Sequence, residues 1–256
     1  MKNSTNNKNN VYFLLGILFL FGVWFVASLI VNNSGILPNI DEVFTELVEI
    51  LKDGNTYALL GNTFIKIVVA ILVSFIISLF LAILSLLSEK VEYFIRPFIV
   101  FLKSIPIVAI AMVLIIMFFK QNVRYIGTIV VSCFVIIPIV FESILVGFKS
   151  IDKDVVWAAK LDHTSNFKLV KSIHIPLAFP HIISGIIAAF GMGLKVMVMS
   201  EVIMNPNNSI GQLIGLYSST GDIAIVIAYS LLLLLIVIVI DYILKYFNKR
   251  INLIEK

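Results

Sequence analysis

The sequence predicts an all-α membrane protein, a polytopic bundle of six transmembrane helices. Two features of composition and one of patterning predict it. Sixty per cent of the 256 residues are apolar and thirteen per cent charged, against the ~25% charged residues of an ordinary soluble domain. The mean hydropathy of +1.07 leaves too little polar cover for a soluble core. The apolar residues gather in runs of about 20, the length a helix needs to cross ~30 Å of hydrocarbon. Alternating segments of ~10 residues are absent, which disfavours a transmembrane β-barrel.

The first expected span is Val11–Val31, behind a polar, Asn-rich tail at 1–10. Its apolar run exceeds the ~7–15 residues of a signal-peptide core and ends in no small-x-small cleavage site, so it is expected to stay as a helix. Residues 32–63 are polar and acidic, with Phe44, Leu47, Val48 and Leu51 at the spacing of a short amphipathic surface helix. The core, 64–250, holds five further expected spans: Phe64–Leu87, Phe98–Phe119, Ile126–Val146, Ile182–Met204 and Ile223–Phe247. A charged stretch at 147–176 separates the fourth and fifth expected spans, and a tail at 251–256 ends the chain.

Lys and Arg orient this arrangement. With six spans, Lys2, Lys8, Lys90, Arg96, the lysines of the 147–174 stretch and those after Asp241 fall on one side. Lys52, Lys120 and Arg124 fall on the other. Positive residues collect in cytoplasmic loops, so both termini and the 147–176 loop are expected in the cytoplasm. Residues 32–63 are then extracytoplasmic. Dense Asn, Ile and Lys usage suggests a bacterial chain, hence a multi-pass protein of the plasma (inner) membrane.

Several chemistries are excluded. Cys133 has no partner for an internal disulfide, and His163, His174 and His181, spaced 11 and 7 apart, match no zinc motif. There is no nucleotide cradle, no Ser/His/Asp set and no H-E-x-x-H. No catalytic residue, metal or cofactor is expected in this chain. The net charge of +4 is explained by topology, and no nucleic-acid partner is expected.

The loop is patterned. Asp154 opens a short helix through Val155, Val156, Trp157, Ala158, Ala159 and Leu161. Ser165 is a good N-cap for a second, over Asn166 to about Ile173, with Phe167, Leu169, Val170 and Ile173 apolar. Pro176 and Pro180 punctuate the approach to the fifth span. The apolar residues of these helices either seat in a partner's groove or pack under the bundle; the residues alone leave both open.

The stretch Trp157-Ala158-Ala159-Lys160-Leu161-Asp162-His163, followed nine residues later by Ile173-His174-Ile175-Pro176, resembles the E-A-A-x-x-x-G-x(9)-I-x-L-P signature of type I ATP-binding-cassette importer permeases. Trp157 stands in the Glu place, His163 in the Gly place and Ile175 in the Leu place. Leu102-Lys103-Ser104-Ile105-Pro106, Ile137-Pro138, Gly147-Phe148, and Ser200-Glu201-Val202 followed by Ile210-Gly211 are similar to segments of the nitrate, taurine and aliphatic-sulfonate branch. The likeness runs from about Phe64 to Arg250. It implies a type I importer permease fold in which two copies of the permease, as a homodimer, form the pathway. An ATPase dimer carrying ATP and magnesium would dock below. The 154–163 helix (Val155, Val156, Trp157, Ala158, Ala159, Leu161, Asp162, His163) would sit in a groove on each ATPase. An extracytoplasmic substrate-binding lipoprotein would select the solute.

Charges inside the spans complete the reading, since each is costly in hydrocarbon. Lys66 can snorkel to the outer surface, and Lys103 to the inner. Glu142 and Asp241 read as helix-end ion pairs, Asp241 with Lys245 at i+4. Lys195 and Glu201, six apart, point to different faces of one helix, so each pairs with another helix or lines the pathway. Gly185, Gly191 and Gly193 permit close helix approach. Lys103, Lys195 and Glu201 are the candidate pathway residues, and a basic Lys195 suits an anion. The expected function is import of a small anionic solute, sulfonate-, taurine- or nitrate-like, or of a vitamin precursor. The alternative is a secondary transporter with no ATPase, although the halves show no internal repeat.

Overall fold

The computed structural model describes residues 2–161 and 165–254. All its regular elements are helical: α1 (Lys2–Val31), α2 (Ile40–Lys52), α3 (Gly54–Leu87), α4 (Glu89–Ser104), α5 (Ile107–Met117), α6 (Arg124–Lys149), α7 (Lys153–Leu161), α8 (Asn166–Leu169), α9 (Ile175–Leu177), α10 (Phe179–Met204), α11 (Ile210–Thr220) and α12 (Ile223–Ile254). Helices satisfy every backbone group internally, which hydrocarbon demands.

Four stretches among the described residues are long and apolar enough to cross a bilayer: Gly54–Leu87, Gln121–Lys149, Phe179–Met204 and Ile223–Tyr246. The pair α4 and α5 makes a fifth if counted as one span, and Leu15–Val31 of α1 is a shorter apolar helix. The expected unbroken span Phe98–Phe119 is corrected: the chain bends by 91° between Ser104 and Ile107. Pro106 is the reason. It forces Ile105 out of the helical region, to φ −70°, ψ 130°, and then starts α5 without needing an N–H. A second difference is that α3 begins at Gly54 rather than Phe64, so the expected outer segment 32–63 contains its first turns.

The helices divide into two compact units. The larger, Tyr57–Leu213 with the chain from Leu235 on, is built on α6 and α10, which lie against each other along most of their length. Ile136, Val140 and Ile144 of α6 meet Ala189, Leu194 and Met197 of α10 in one buried cluster with Ile67 and Ala70 of α3. Leaving lipid brings a leucine little hydrophobic gain, so such contacts depend on close packing and hydrogen bonds. Gly185 and Gly193 allow the approach: a Cβ at Gly185 would lie 2.8 Å from Ser143 Oγ, and one at Gly193 2.8 Å from both Ile136 Cδ1 and Ile67 Cδ1. Ser143 cannot easily yield, because its hydroxyl donates to the His181 carbonyl at 2.9 Å. Ser78 of α3 donates to the Ile137 carbonyl at 2.9 Å, tying α3 to α6 beside Pro138. Ala111 and Leu114 of α5 pack with Val131, Val196 and Met204.

The smaller unit holds α1, α2 and Ile214–Leu234. Trp24 of α1 donates its indole N–H to the Pro38 carbonyl at 3.1 Å, fixing the turn into α2. The Glu42 carboxylate accepts the Asn39 N–H at 3.3 Å, half of a capping box. Helix α2 buries Val43, Leu47 and Ile50, an i, i+4, i+7 stripe. Tyr217 and Tyr229 stack with ring centroids 6.4 Å apart, and the Tyr229 hydroxyl lies 3.4 Å from that of Thr56.

The α6–α10 contact gives a paired test. Gly185→Leu should overpack the crossing and cost about 1–3 kcal/mol, read as a lower unfolding temperature in detergent. Gly191→Ala, where a Cβ meets nothing within 4 Å, should leave that temperature unchanged or raise it. Equal effects from the two would mean that the crossing is not tightly packed.

Candidate functional site

Helix α7 has no buried residue. Val156 and Ala159 are half-buried, on the side of the 210 Å³ cleft that Val156 and Lys160 share with Leu86, Leu87, Leu169 and His174. Trp157 is 67% exposed, Leu161 76% and Val155 44%, and Ala158 is exposed as well. The Lys160 ammonium lies over the Trp157 ring at 5.9 Å, a cation–π contact. Asp162 and His163 fall outside the described residues. Ser165 caps α8, accepting the Lys168 N–H at 3.3 Å. Phe167 of α8 is 71% exposed as well; the sequence shows it as one of four apolar positions and does not single it out.

Beyond α8 the chain does not run on as an α-helix. Pro176 has no N–H for the Ser172 carbonyl and crowds it. The strain is relieved by a π-helical turn, Val170–His174, in which the Ile175 N–H reaches back to the Val170 carbonyl. From α9 the chain passes directly into α10.

Among the described residues, Glu142, Glu201 and Asp241 are each in an ion pair and Lys195 is in none. Glu201 is fully buried, and its carboxylate pairs with Lys66. The Thr63 hydroxyl stands 3.0 Å from both carboxylate oxygens and, having one proton, donates to one of them. The Gly211 N–H donates to Oε2 at 3.1 Å, and the Ile210 N–H donates to Thr63 Oγ1 at 3.3 Å. Ser209 accepts the Gln212 N–H at 3.1 Å. The first N–H groups of α11 are thereby satisfied, with a carboxylate at the positive end of its dipole. Gly211 is required: a Cβ there would come within 2.7 Å of the Val198 carbonyl oxygen. Lys66 therefore does not snorkel to the surface, because a carboxylate 135 residues away in sequence, on α10, holds it inside. Asn205 closes α10 in the left-handed conformation at φ 49°, its N–H donating to the Glu201 carbonyl.

Lys103 pairs with Glu142, both half exposed, and Lys245 with Asp241 at 2.7 Å. Ahead of the apolar part of α4, Glu92 binds Lys149 at 2.6 Å and Arg96 at 3.0 Å. These pairs occupy Glu142, Glu201 and Asp241 and leave Lys195 with no carboxylate partner among the described residues. Lys195 is exposed, 16 residues past the start of α10 and 9 before its end. Ala188, Met192 and Met199, also exposed, share its face.

The sequence profile of the binding-protein-dependent transport system inner membrane component family matches residues 74–253. The chain belongs to this family. Among its relatives, a protein described as an ABC transporter permease of Methanocaldococcus jannaschii is 24% identical over 232 residues, 89% of this chain and 86% of that one. A protein described as a molybdenum transport system permease of Bacillus subtilis is 32% identical over 68 residues, 27% of this chain and 30% of that one. The crystal structure of an amino acid ABC transporter with histidines shares the fold at a TM-score of 0.63 and 16% identity, over 77% of this chain and 93% of that one. This permease is thus a multi-pass membrane component of ABC transport, of the type I importer kind, and a transport subunit rather than an enzyme. Its family implies an ATPase and a substrate-binding protein as partners, which argues against a secondary transporter.

The Glu201 cluster makes a quantitative expectation. Glu201→Gln leaves Lys66 buried without a counter-charge and should destabilise the permease by about 3–5 kcal/mol. Lys66→Met combined with Glu201→Gln should recover much of that loss. Unfolding in detergent, followed for both variants, checks it; a double variant as unstable as the single would refute the pairing.

Proposed function

We propose that this permease works as a homodimer in a bacterial plasma membrane, with both termini and the 147–176 loop in the cytoplasm. It imports a small anionic solute of the sulfonate, taurine or nitrate kind. ATP and magnesium bind the partner ATPase, and an extracytoplasmic lipoprotein delivers the solute. The 154–163 helix docks in a groove on that ATPase, and its closure on ATP switches access to the pathway.

The observation that carries the coupling part is the exposure of α7: an aromatic and two aliphatic side chains, Trp157, Val155 and Leu161, are exposed among the described residues. An apolar helix presented to water finds its partner by lying in a groove. Docking drives the spans only if it differs between the two states of the ATPase, because a partner with equal affinity for both shifts nothing.

The anionic solute is supported by the charge pattern. A lysine in the middle third of a spanning helix costs ~2.5–3.5 kcal/mol if left to lipid. Lys195 stands on an exposed face, and the carboxylates at span depth are engaged elsewhere. A wetted pathway visited by anions stabilises it. Lys103 and Glu201 are each already neutralised, so Lys195 is the pathway residue this reading depends on.

Two outcomes test the proposal. Trp157→Ala should weaken capture of the copurifying ATPase by ~2 kcal/mol, about 30-fold, and stop uptake while membrane insertion stays normal. Uptake at the unmodified rate would refute the docking. In proteoliposomes with the copurifying ATPase and binding protein, Lys195→Gln should cut uptake of radiolabelled taurine, methanesulfonate or nitrate at least tenfold, and Lys195→Arg should restore part of it. Equal uptake by Lys195→Gln would remove the charge argument.

A further inference from the structure

We infer that His174 is a positioning residue for transport: by pinning the π-helical turn to Phe148, it makes the loop helices move together with α6 and α10. The inference rests on the docking of α7 proposed above and adds how displacement there reaches the spans.

A loop that merely linked two helices would absorb a push. This one is built otherwise. The turn opened by Pro176 is buried, with Leu169, Val170, His174 and Ala178 at 4%, 2%, 5% and 0% exposure. The His174 ring stands edge-on to Phe148, centroids 5.9 Å apart and planes at 86°, the favoured T-shaped arrangement. Phe148 is itself buried, in the last turn of α6. His174 Nδ1 lies 3.3 Å from the Leu169 carbonyl oxygen; a carbonyl only accepts, so the proton is on Nδ1. One side chain thus ties the last residue of α8 to the end of α6.

The next turn repeats the attachment. A Cβ at Gly147 would lie 2.7 Å from His181 Cβ and 3.0 Å from Ala178 Cβ, so α6 and the start of α10 meet without slack. Ser143 holds the His181 carbonyl, and the Ser150 hydroxyl is 3.5 Å from His181 Nε2. The cleft lined by Val156, Leu169 and His174 includes Leu86 and Leu87, which places the end of α3 beside the same turn. The turn therefore contacts what must move, and a packed joint transmits displacement where a flexible one would dissipate it. A hydrophobic residue at 174 would fill the space yet leave the Leu169 carbonyl without its side-chain donor.

The experiment uses the whole complex and a reporter that needs no knowledge of the solute. Cys133 is the only cysteine, so in a Cys133→Ser background a bimane label on Met199→Cys reports on α10 alone. In proteoliposomes with the copurifying ATPase, ATP and magnesium should shift the label's emission. His174→Ala should lose at least half of that shift while the ATPase still copurifies and hydrolyses ATP at its unmodified rate. Phe148→Leu should lose a similar share, and the double variant no more than either single, as expected of two residues acting through one contact. If His174→Ala does not insert, Phe148→Leu carries the test by itself. A full shift in either variant, additive losses, or loss of the ATPase from His174→Ala would overturn the joint. Absence of any ATP-dependent shift when His174 and Phe148 are both intact, or failure of the unmodified chain to hold any ATPase, would instead overturn the docking reading beneath it.

Discussion

Hydrocarbon offers no hydrogen-bond partner and no hydration for a charge, and every local departure in this permease is a response to that constraint. The buried carboxylate of Glu201 shows it most fully. Lys66, the Thr63 hydroxyl and the Gly211 N–H surround it, so α3, α10 and α11 share one group. An ion pair of this kind adds little net stability over an apolar substitute, yet breaking one side of it is severe. Its effect is therefore on arrangement: α3, α10 and the start of α11 have one way of meeting at that end.

The prolines show the same constraint from the backbone side, with three different outcomes. Pro106 follows an extended residue and separates two helices at 91°. Pro138 stays inside α6, where the helix continues without a break and Ser78 donates to the adjoining Ile137 carbonyl. Pro176 widens the chain into a π-helical turn, and a histidine side chain donates to the carbonyl at its edge.

Periodicity and length made the helical class and the approximate spans legible, because about 20 apolar residues have few other uses. The loop helices and the Ser165 cap were legible from local chemistry. The break at Pro106 was not, since Pro138 and Pro176 look alike in sequence and do not break their helices. Lys66 read as a snorkelling lysine because its position near a span end permits it, and its partner lies 135 residues away. Glu201 was visible as a charge that must be paired or line the pathway, but Thr63 and Gly211 carry no signal of their own beyond a hydroxyl and a missing Cβ. Lys195 was singled out by the same cost rule, and only the structure separates it from Glu201, by exposing one and enclosing the other.

These features give α10 an unequal pair of ends. One is fixed by the Glu201 cluster and by the left-handed cap at Asn205, with Gln121 donating to the Asn205 carbonyl at 2.6 Å. The other continues into a loop in which Val155, Trp157, Leu161 and Phe167 are exposed. Between them, small residues hold α10 against α6, while the face bearing Ala188, Met192, Lys195 and Met199 stays open. On the proposed coupling, a displacement applied at the loop end cannot be taken up by sliding at the far end, where three polar partners would have to separate in a medium that cannot replace them. It must appear as a tilt or rotation of α10 about that fixed end, carried with α6. Such a motion would change what Lys195 faces without breaking the Lys66–Glu201 pair.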